Sequence, residues 1–579
     1  MIKGGVMMKK VLFTIIPILC LIIFISCGKK SMYQGQEMGE FAPPDAYLEG
    51  SKHAYYGSEN AWDRRFFTTQ LAAEYKRRGQ RQMLDLLENK PLDTEKYCRE
   101  LIKDDPNDLE SYFNLTVALA RLNKIDEAMD TLKVAVKKGL PFDRFLAGPR
   151  DILEPLTVSN QFKTFASGYN INILHGPMLG KVSDKSASFW VRTLDEMNVS
   201  VRISKNKNMK PYVESSSVKS NKADDYTAIV SGEGLTPNTE YYYQMLGNGK
   251  VESGSQIHSF KTYPEEGKRA KFQIVFGGCA GYAYWNERIW DTIKVHNPLA
   301  FLWMGDNVYI NMPTFPNAIH YYTYYRRQSR PEFKRLVSST ANYAIWDDHD
   351  AATDDVWLGP YKDKPEWKMP LLENFKQNWI NPFYGTNEWP GTYFNFTIGD
   401  VEFFMLDVRI YRTNPFEEKP SMLGPNQKAW LLDALKKSKA TFKVIASGVP
   451  WAFDAKADSR DTWNGFKEER KEIFDFLADN NINGVVLLSG DRHRTDIRKI
   501  DRNNSYTLYD WESCRLTNTH VAPLEHGAIF EYNDKQTFGI IKFDTTLPDP
   551  TVTFEPMSID NEKLYEHKLK LSQLSGKEK

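Results

Sequence analysis

The chain is poor in cysteine. Of its 5 cysteines in 579 residues, Cys20 and Cys27 belong to an N-terminal apolar segment, which leaves Cys98, Cys279 and Cys514 for the rest of the chain. Three cysteines cannot build a disulfide framework, although a single pair remains open. Stability must therefore come from apolar cores. The 41% hydrophobic and 13% aromatic residues are enough for several domains and exclude disorder of the whole chain.

The chain also lacks net charge, because its 75 lysines and arginines balance 75 aspartates and glutamates. No overall electrostatic field draws it to nucleic acid or to an anionic membrane, so specific nucleic-acid binding is not expected. Any recognition of phosphate must be local.

Long hydrophobic runs are missing except near the N-terminus. Lys9 and Lys10 precede an uncharged run of about 16 residues, Val11 to Ser26, which is short for a membrane span. The ending Ile-Ser-Cys resembles a bacterial lipobox, which predicts that residues 1–27 are a lipoprotein signal peptide with lipid attached to Cys27. The protein would then be anchored to a bacterial membrane, facing the periplasm or the cell surface. An ordinary membrane anchor and a cleaved secretory signal are the alternatives.

Residues 28–165 divide into a segment without periodicity and a helical segment. Residues 28–60 have no periodicity and predict a flexible tether. Residues 61–165 show helical spacing, and residues 109–141 resemble one tetratricopeptide unit on the positions of Tyr112, Leu115, Leu119, Ala128, Leu132 and Ala135. A single unit offers little concave surface, so a structural helix bundle is favoured over a protein partner bound through this segment.

From about residue 173, apolar and polar residues alternate with a period of two, as in β-strands, in place of the helical spacing. The segment Gly234-Leu-Thr-Pro-Asn-Thr-Glu-Tyr-Tyr-Tyr243 resembles the corner of a fibronectin type III sandwich. Residues 173–262 are therefore predicted to form a fibronectin III-like β-sandwich. A scaffold role is favoured over carbohydrate or partner binding, because such a fold implies no particular function.

Residues 271–546 repeat one pattern four times: a short apolar run ends at Gly or Trp and is followed by acids, His or Cys. The four polar segments begin at Cys279, Asp306, Asp347 and Asp491. Runs of this length and composition suit the buried strands of a covered sheet, and ligands of α/β folds bind outside the carboxyl ends of strands. We expect the four exits to converge in an α/β domain, with residues 547–579 as a C-terminal strand and helix extension.

The residue types at these exits suit two metal ions. Cys279 and Tyr309 would be anionic, polarisable ligands of a ferric-type ion, and Asp306 would bridge two cations. Asp348 and Asp491 would offer hard oxygen ligands to the second cation, and His493 would join either ion. Such a pair would hold a water as hydroxide and neutralise charge on a phosphate ester, with His349 bonding a phosphoryl oxygen or the leaving group. Arg409 suits a bidentate phosphate contact or, equally, a structural pair with Asp407.

The same residues carry a family resemblance. Over roughly residues 173–545 the chain resembles PhoD-like alkaline phosphatases. The ordered motifs are Gly277-Gly-Cys279, Gly305-Asp-Asn-Val-Tyr309, Trp346-Asp-Asp-His-Asp350, Leu406-Asp-Val-Arg409 and Ser489-Gly-Asp-Arg-His493. The resemblance implies an α+β multidomain protein in which an α/β/β/α metallophosphatase sandwich follows the β-sandwich and the small helical domain.

The resemblance also implies the metals. Fe(III) would lie at Cys279, Asp306, Tyr309 and His493, and Ca(II) at Asp306, Asp348 and Asp491, with Mn, Mg or Zn as substitutes at the second site. The chain departs from the family pattern at residues 351–355, where Asp354 stands in place of a usual Asn. This change adds negative charge and would alter metal preference.

The sequence therefore predicts an exported hydrolase of phosphomonoesters or phosphodiesters that acts by direct attack of metal-bound hydroxide. The alternative is a non-catalytic surface lipoprotein that binds a polymer or a protein through its helical and sandwich domains.

Overall fold

A computed structural model describes residues 75–251, 256–310, 317–352, 355–456, 459–503 and 505–576. The predicted signal peptide with Cys27, the predicted tether and Asp354 lie outside the described residues. Within the described part of the chain, no helix is long and apolar enough to cross a membrane.

The first described region consists of seven helices. They are α1 (Tyr75–Leu87), α2 (Pro91–Asp104), α3 (Leu109–Arg121), α4 (Ile125–Lys137), α5 (Asp143–Ala147), α6 (Arg150–Thr157) and α7 (Asn160–Ala166). Helix α2 starts at a proline, whose missing N–H costs nothing at the first helical position. Helices α3 and α4 pack together, and the six residues that suggest a tetratricopeptide unit are all buried. Their core also includes Ile319 and Tyr322, which come much later in the chain.

Two antiparallel sheets follow. One contains β1 (Ile173–Gly180), β2 (Ala187–Thr193) and β6 (Thr227–Gly232). The other contains β3 (Asn198–Ser204), β4 (Val213–Glu214), β5 (Val218–Lys219), β7 (Glu240–Gly247), β8 (Lys250–Val251) and β9 (His258–Lys261). The backbone N–H of Thr236 donates to the Tyr241 hydroxyl at 2.9 Å, so a tyrosine fixes the turn before β7. The likeness to a fibronectin domain beyond this corner stays a prediction.

The region from Lys271 to Lys570 contains two larger sheets. The first has the order β12-β11-β10-β20-β21-β22 and the second the order β13-β14-β15-β16-β18-β17-β19. The first sheet comprises β10 (Lys271–Gly277), β11 (Ala300–Met304), β12 (Ala341–Ile345), β20 (Thr537–Asp544), β21 (Thr551–Ser558) and β22 (His567–Lys570). The second comprises β13 (Phe394–Ile398), β14 (Val401–Met405), β15 (Phe442–Ala446), β16 (Val485–Ser489), β17 (Thr495–Ile500), β18 (Leu508–Ser513) and β19 (Phe530–Tyr532).

The strands that lead to the candidate site are parallel. In the first sheet β10, β11 and β12 run parallel, and in the second β14, β15, β16 and β18 do. Their carboxyl ends therefore meet at common edges. The remaining helices are α8 (Ile289–Lys294), α9 (Asn317–Gln328), α10 (Pro331–Val337), α11 (Asp348–Ala351), α12 (Lys368–Asn378), α13 (Gly424–Lys437) and α14 (Lys467–Asp479).

Alternation along the strands divides the core in two. Ile274 and Phe276 of β10 join a cluster with Val444 and Leu487 of the second sheet, whereas Val275 faces a cluster with helices α8 and α10. Side chains of a strand point alternately to opposite faces, so one sheet face packs on the other sheet and the opposite face on helices. The predicted mixed α+β architecture is confirmed at this level.

The predicted C-terminal helix is wrong. Within residues 562–574 the chain forms strand β22 and a 3-10 turn at Leu571–Leu574. Strand β21 pairs along its whole length with β20, and β22 pairs with β21. The described residues 547–576 are therefore no separate extension, because their strands belong to the same sheet as β10. The apolar residues of β22 are too few to distinguish a short edge strand from a helix by spacing alone.

Candidate metal centre

The four predicted strand exits converge. Cys279 follows β10, Asp306 follows β11, Asp348 begins α11 after β12, and Asp491 follows β16. The Cys279 N–H donates to the Gly305 carbonyl at 3.1 Å, and the Ala280 N–H to the Asp306 carbonyl at 2.8 Å. These two bonds hold the first and second exits side by side.

Several of these residues adopt left-handed backbone conformations. The φ angles of Cys279, Asp306, Asp491 and His493 are 57°, 52°, 78° and 52°. Residues other than glycine rarely take positive φ, and such strain is concentrated at functional sites. Gly305 has φ 97°, and a Cβ there would lie 2.5 Å from Cβ of Asp347. Only glycine lets the second and third exits approach this closely.

Asp306 belongs to two groups of metal-ligating side chains. In the first, ligand atoms of Cys279, Asp306 and His493 lie within 4.8 Å of one another, and in the second, those of Asp306, Asp348 and His349 do. A carboxylate shared by both groups has the position that a bridging ligand between two cations requires. The bridging role of Asp306 itself stays a prediction.

Asp350 holds the second and third exits in place. Its carboxylate accepts hydrogen bonds from the backbone N–H groups of Asn307, Val308 and Asp347, each at 3.1 Å. Asp347 and Asp350 also form a reciprocal capping box at the start of α11. In the Asp-Asp-His-Asp motif, the first and last carboxylates thus bind backbone N–H groups, and Asp348 and His349 face the site.

Tyr309 lies against the shared carboxylate. Its hydroxyl donates to Asp306 Oδ2 at 2.9 Å and accepts from Nδ2 of Asn518 at 2.6 Å. Its ring lies 4.3 Å from the His349 ring, and the His349 N–H donates to Asp306 Oδ1 at 3.3 Å. The predicted residues Asp306, Tyr309 and His349 therefore form one contact network.

The charges of the site fit bound cations. Burial raises the pKa of Asp306 well above its ordinary value, and the carboxylates of Asp348 and Asp347 raise it further. Among the described residues, the buried Oδ2 atom of Asp347 has no hydrogen-bond partner, and that of Asp491 has none either, although Lys456 Nζ lies 3.7 Å from it. Buried carboxylate oxygens without partners are costly unless a cation compensates them. The donor set, mainly carboxylate and imidazole with one phenol, suits two metal ions.

Cys279 differs from the prediction. It lies in the ligand group with Asp306 and His493, but its sulfur is bonded to Cys514 in a disulfide, with the two Cα atoms 5.6 Å apart. A disulfide sulfur is not an anionic ligand, so Cys279 is placed to bind metal as a thiolate only when this bond is reduced. Cys514 follows β18, a fifth exit whose apolar run is interrupted by acids and which the sequence pattern therefore missed.

Arg409 is a correction. Its guanidinium is fully buried and donates to Asp347 at 2.5 Å, to Asp461 at 2.6 and 3.3 Å, and to the Val356 carbonyl at 3.2 Å. Because these acceptors surround the buried guanidinium, it cannot contact a phosphate. It holds the carboxylates of Asp347 and Asp461 in position instead. The predicted alternative, a structural pair with Asp407, is also wrong for the guanidinium. The Asp407 carboxylate accepts from the backbone N–H of Arg409 and from the indole of Trp346.

Asp491 lies beside a cation that the sequence did not single out. Lys456 Nζ lies 3.7 Å from Asp491, 3.7 Å from Asp355 and 3.9 Å from Asp461. Asp491 is in neither ligand group, and its predicted metal role is neither confirmed nor excluded by this placement. The departure at residues 351–355 also reaches the site, because the Asp355 N–H donates to Asp348 Oδ2 at 2.7 Å.

Other contributors were missed because they are single polar residues in irregular segments. Asn518 bonds the Tyr309 hydroxyl, and the His520 ring lies 4.8 Å from the His493 ring. Asp461 joins Arg409 and Arg412. The only sequence signal for the first two is their position shortly after β18.

Comparison with known proteins agrees with this geometry. Residues 274–536 match the family model "PhoD-like phosphatase", and residues 170–263 match a domain of unknown function, DUF7800. Alkaline phosphatase D of Bacillus subtilis (strain 168) is 24% identical over 319 residues, which are 46% of this chain and 53% of that protein. The match thus spans about half of the length of this curated relative.

Two solved structures share the fold. A structure of PhoD aligns with a TM-score of 0.54 at 16% identity, covering 69% of this chain and 92% of that one. Purple acid phosphatase PPD1 from yellow lupin (Lupinus luteus) seeds aligns with a TM-score of 0.51 at 11% identity, covering 69% and 75%. At these identities the likeness establishes the arrangement of sheets and helices.

Proposed function

We propose that the protein is a metal-dependent hydrolase of phosphate esters, because residues 274–536 match the family model "PhoD-like phosphatase". The observation that carries the proposal is the position of Asp306 in both groups of metal-ligating side chains. An isolated acid at a strand end is common, but a buried carboxylate shared by two groups at converging exits is what a two-metal phosphatase needs.

The two groups differ in chemistry. Tyr309, Asp306 and His493 suit an oxidised iron, with Cys279 as a further ligand when its disulfide is reduced. Asp306, Asp348 and Asp491 suit Ca(II), or Mn, Mg or Zn at the same place. When bound, such a pair of cations activates water for direct attack on phosphorus and neutralises charge on the entering and leaving oxygens.

The protein's own groups orient the ester. His349 follows Asp348 on α11, and its backbone N–H is fixed by Asp306. Its imidazole is close enough to the shared carboxylate to donate to a phosphoryl oxygen or to a leaving group. Lys456 and Arg492 add positive charge beside Asp491, which favours an anionic substrate at this side of the site.

The segments outside the phosphatase domain are proposed as support. In this proposal the chain is exported and held to a membrane by lipid on Cys27, the fibronectin III-like sandwich is a scaffold, and the tetratricopeptide-like helices are structural. The local apolar run before Cys27 supports export. Labelling with a radioactive fatty acid tests the anchor: the label should be lost in Cys27→Ala, and its persistence would refute lipidation at that residue.

The enzymatic proposal is tested with Asp306→Asn, which keeps the size of the side chain and removes its charge. We expect the variant to fold, to lose metal in elemental analysis and to lose at least about 100-fold in kcat on an aryl phosphate, as expected when a bridging ligand is lost. Asp501→Asn is the matched control, because Asp501 is a surface residue that pairs only with surface groups. A parallel panel of mono- and diesters would define the substrate class. Unchanged turnover in Asp306→Asn, or a metal-loaded protein that hydrolyses no ester, would contradict the proposal.

A further inference from the structure

The helical region lies outside both matched family models, yet it contacts the loop that carries Tyr309. Gln80 of α1 is fully buried, and its Nε2 donates to the backbone carbonyl of Tyr309 at 2.5 Å and to Thr323 Oγ1 at 2.8 Å. These partners are 229 and 243 residues away along the chain. One amide group of the N-terminal helices therefore joins the loop after β11 to helix α9.

The contact is part of a close interface. A Cβ on Gly79 would lie 1.8 Å from the Tyr322 hydroxyl oxygen, so only glycine lets α1 approach α9 this closely. Asn114 of α3 donates to the same hydroxyl at 3.2 Å. The Arg144 guanidinium lies 4.0 Å from the centre of the Phe113 ring and 4.9 Å from that of Tyr322. The interface is thus specific and buried, and Gln80 is held in place by its surroundings.

Tyr309 is held from three directions. Its hydroxyl contacts Asp306 and Asn518, and the next residue, Ile310, donates its N–H to the His349 carbonyl at 2.9 Å. The third contact is the hydrogen bond from the Gln80 amide to the Tyr309 carbonyl. Groups behind a metal ligand orient it, and their removal is known to weaken metal sites by about 10- to 100-fold.

We propose that the N-terminal helices complete the metal centre and that Gln80 is a positioning residue that fixes Tyr309 beside Asp306. The inference rests on the proposed role of Tyr309 as a metal ligand, but it makes a separate claim about the loop itself. That claim can be examined in the metal-free protein.

The first test is amide hydrogen exchange of residues 307–310 in metal-free Gln80→Leu, which keeps the side-chain size and removes the donor. Of the two hydrogen bonds that this change removes, one holds the loop at Tyr309, so we expect these amides to exchange about 5- to 10-fold faster, as the loss of one buried hydrogen bond implies. Gln82→Leu is the matched control. Gln82 is also buried on α1, but its side-chain amide has no partner among the described residues, so exchange at 307–310 should stay at the wild-type rate.

The second test uses iron and an aryl phosphate on the full-length protein. Fe(III) loading of Gln80→Leu should need about 10-fold more metal and shift the visible tyrosinate-to-iron absorption, and kcat should fall about 10-fold with KM little changed. A wild-type protein that binds no metal and hydrolyses no ester would refute the proposed function. The hydrogen-exchange result would still test whether Gln80 fixes the loop. Equal exchange in Gln80→Leu and wild type, or the same acceleration in Gln82→Leu, would overturn the positioning role.

Discussion

The buried Arg409 network gives the sharpest prediction. Replacement by methionine keeps the length of the side chain but removes four hydrogen bonds and leaves the carboxylates of Asp347 and Asp461 facing an apolar group. Burial alone would raise the pKa of Asp461, but Arg409, Arg412 and Lys456 hold it well below its ordinary value. Arg409 is the largest of these three influences, so the variant leaves Asp461 buried with only Arg412 and Lys456 to offset the burial.

The size of the effect follows from this burial. Breaking a fully buried ion pair by removing one partner costs about 3–5 kcal/mol. In a domain of this size, each kcal/mol lowers Tm by roughly 2 °C, so Arg409→Met should unfold about 6–10 °C below the wild type. Asp461→Asn should also destabilise, and the double variant should lose less than the sum, with a coupling energy of about 2–3 kcal/mol.

Thermal and urea unfolding of the four proteins, with KM for an aryl phosphate, form the assay. Arg288→Met is the control, because Arg288 pairs with Asp560 at the surface and such pairs contribute about 0–1 kcal/mol. A wild-type Tm for Arg409→Met, together with a several-fold rise in KM, would contradict this prediction. That outcome would mean that the guanidinium holds the phosphate after all.

Three further predictions concern buried or paired groups. Burial lowers the pKa of Lys368 to about 7, so between pH 7 and about 10 the unfolded chain binds more protons than the folded protein. The free energy of unfolding should then rise with pH by up to ~1.4 kcal/mol per unit, and urea titrations of Lys368→Met should lack this slope. Alkylation followed by mass spectrometry should show that Cys279 and Cys514 do not react until a thiol reductant is added. After reduction, the iron content of the protein should increase. Reaction of either thiol without reductant would contradict the pairing. Addition of Mn²⁺ should raise the Tm of Lys456→Met more than that of the wild type, because Asp491 loses its nearby cation in the variant. An equal rise in both proteins would mean that Lys456 does not compete with the metal.

The strand exits were predictable because each one combines an apolar run with an abrupt polar residue. The runs before Cys279, Asp306 and Asp491 become β10, β11 and β16, and the parallel order of neighbouring strands brings their ends together. Local spacing is enough for this inference, since buried parallel strands read as continuous apolar segments.

The remaining parts of the site depend on distant partners. From the sequence, Arg409 is a candidate phosphate ligand. In the structure its guanidinium binds Asp461, which lies 52 residues later in the chain. Cys514 follows a strand whose face alternates with the acids Asp510 and Glu512, so no apolar run announces it. Gln80 acts across 229 residues, and no local pattern distinguishes it from any other buried glutamine.

The strand order has a consequence for biosynthesis. β10, the first strand of the two larger sheets, pairs antiparallel with β20, so the middle of this sheet stays open until about 270 further residues have left the ribosome. Long-range pairing of this kind is slow and leaves strand edges exposed in the meantime. A shortened chain that ends before residue 537 would leave β10 with an unpaired edge, a template for aggregation.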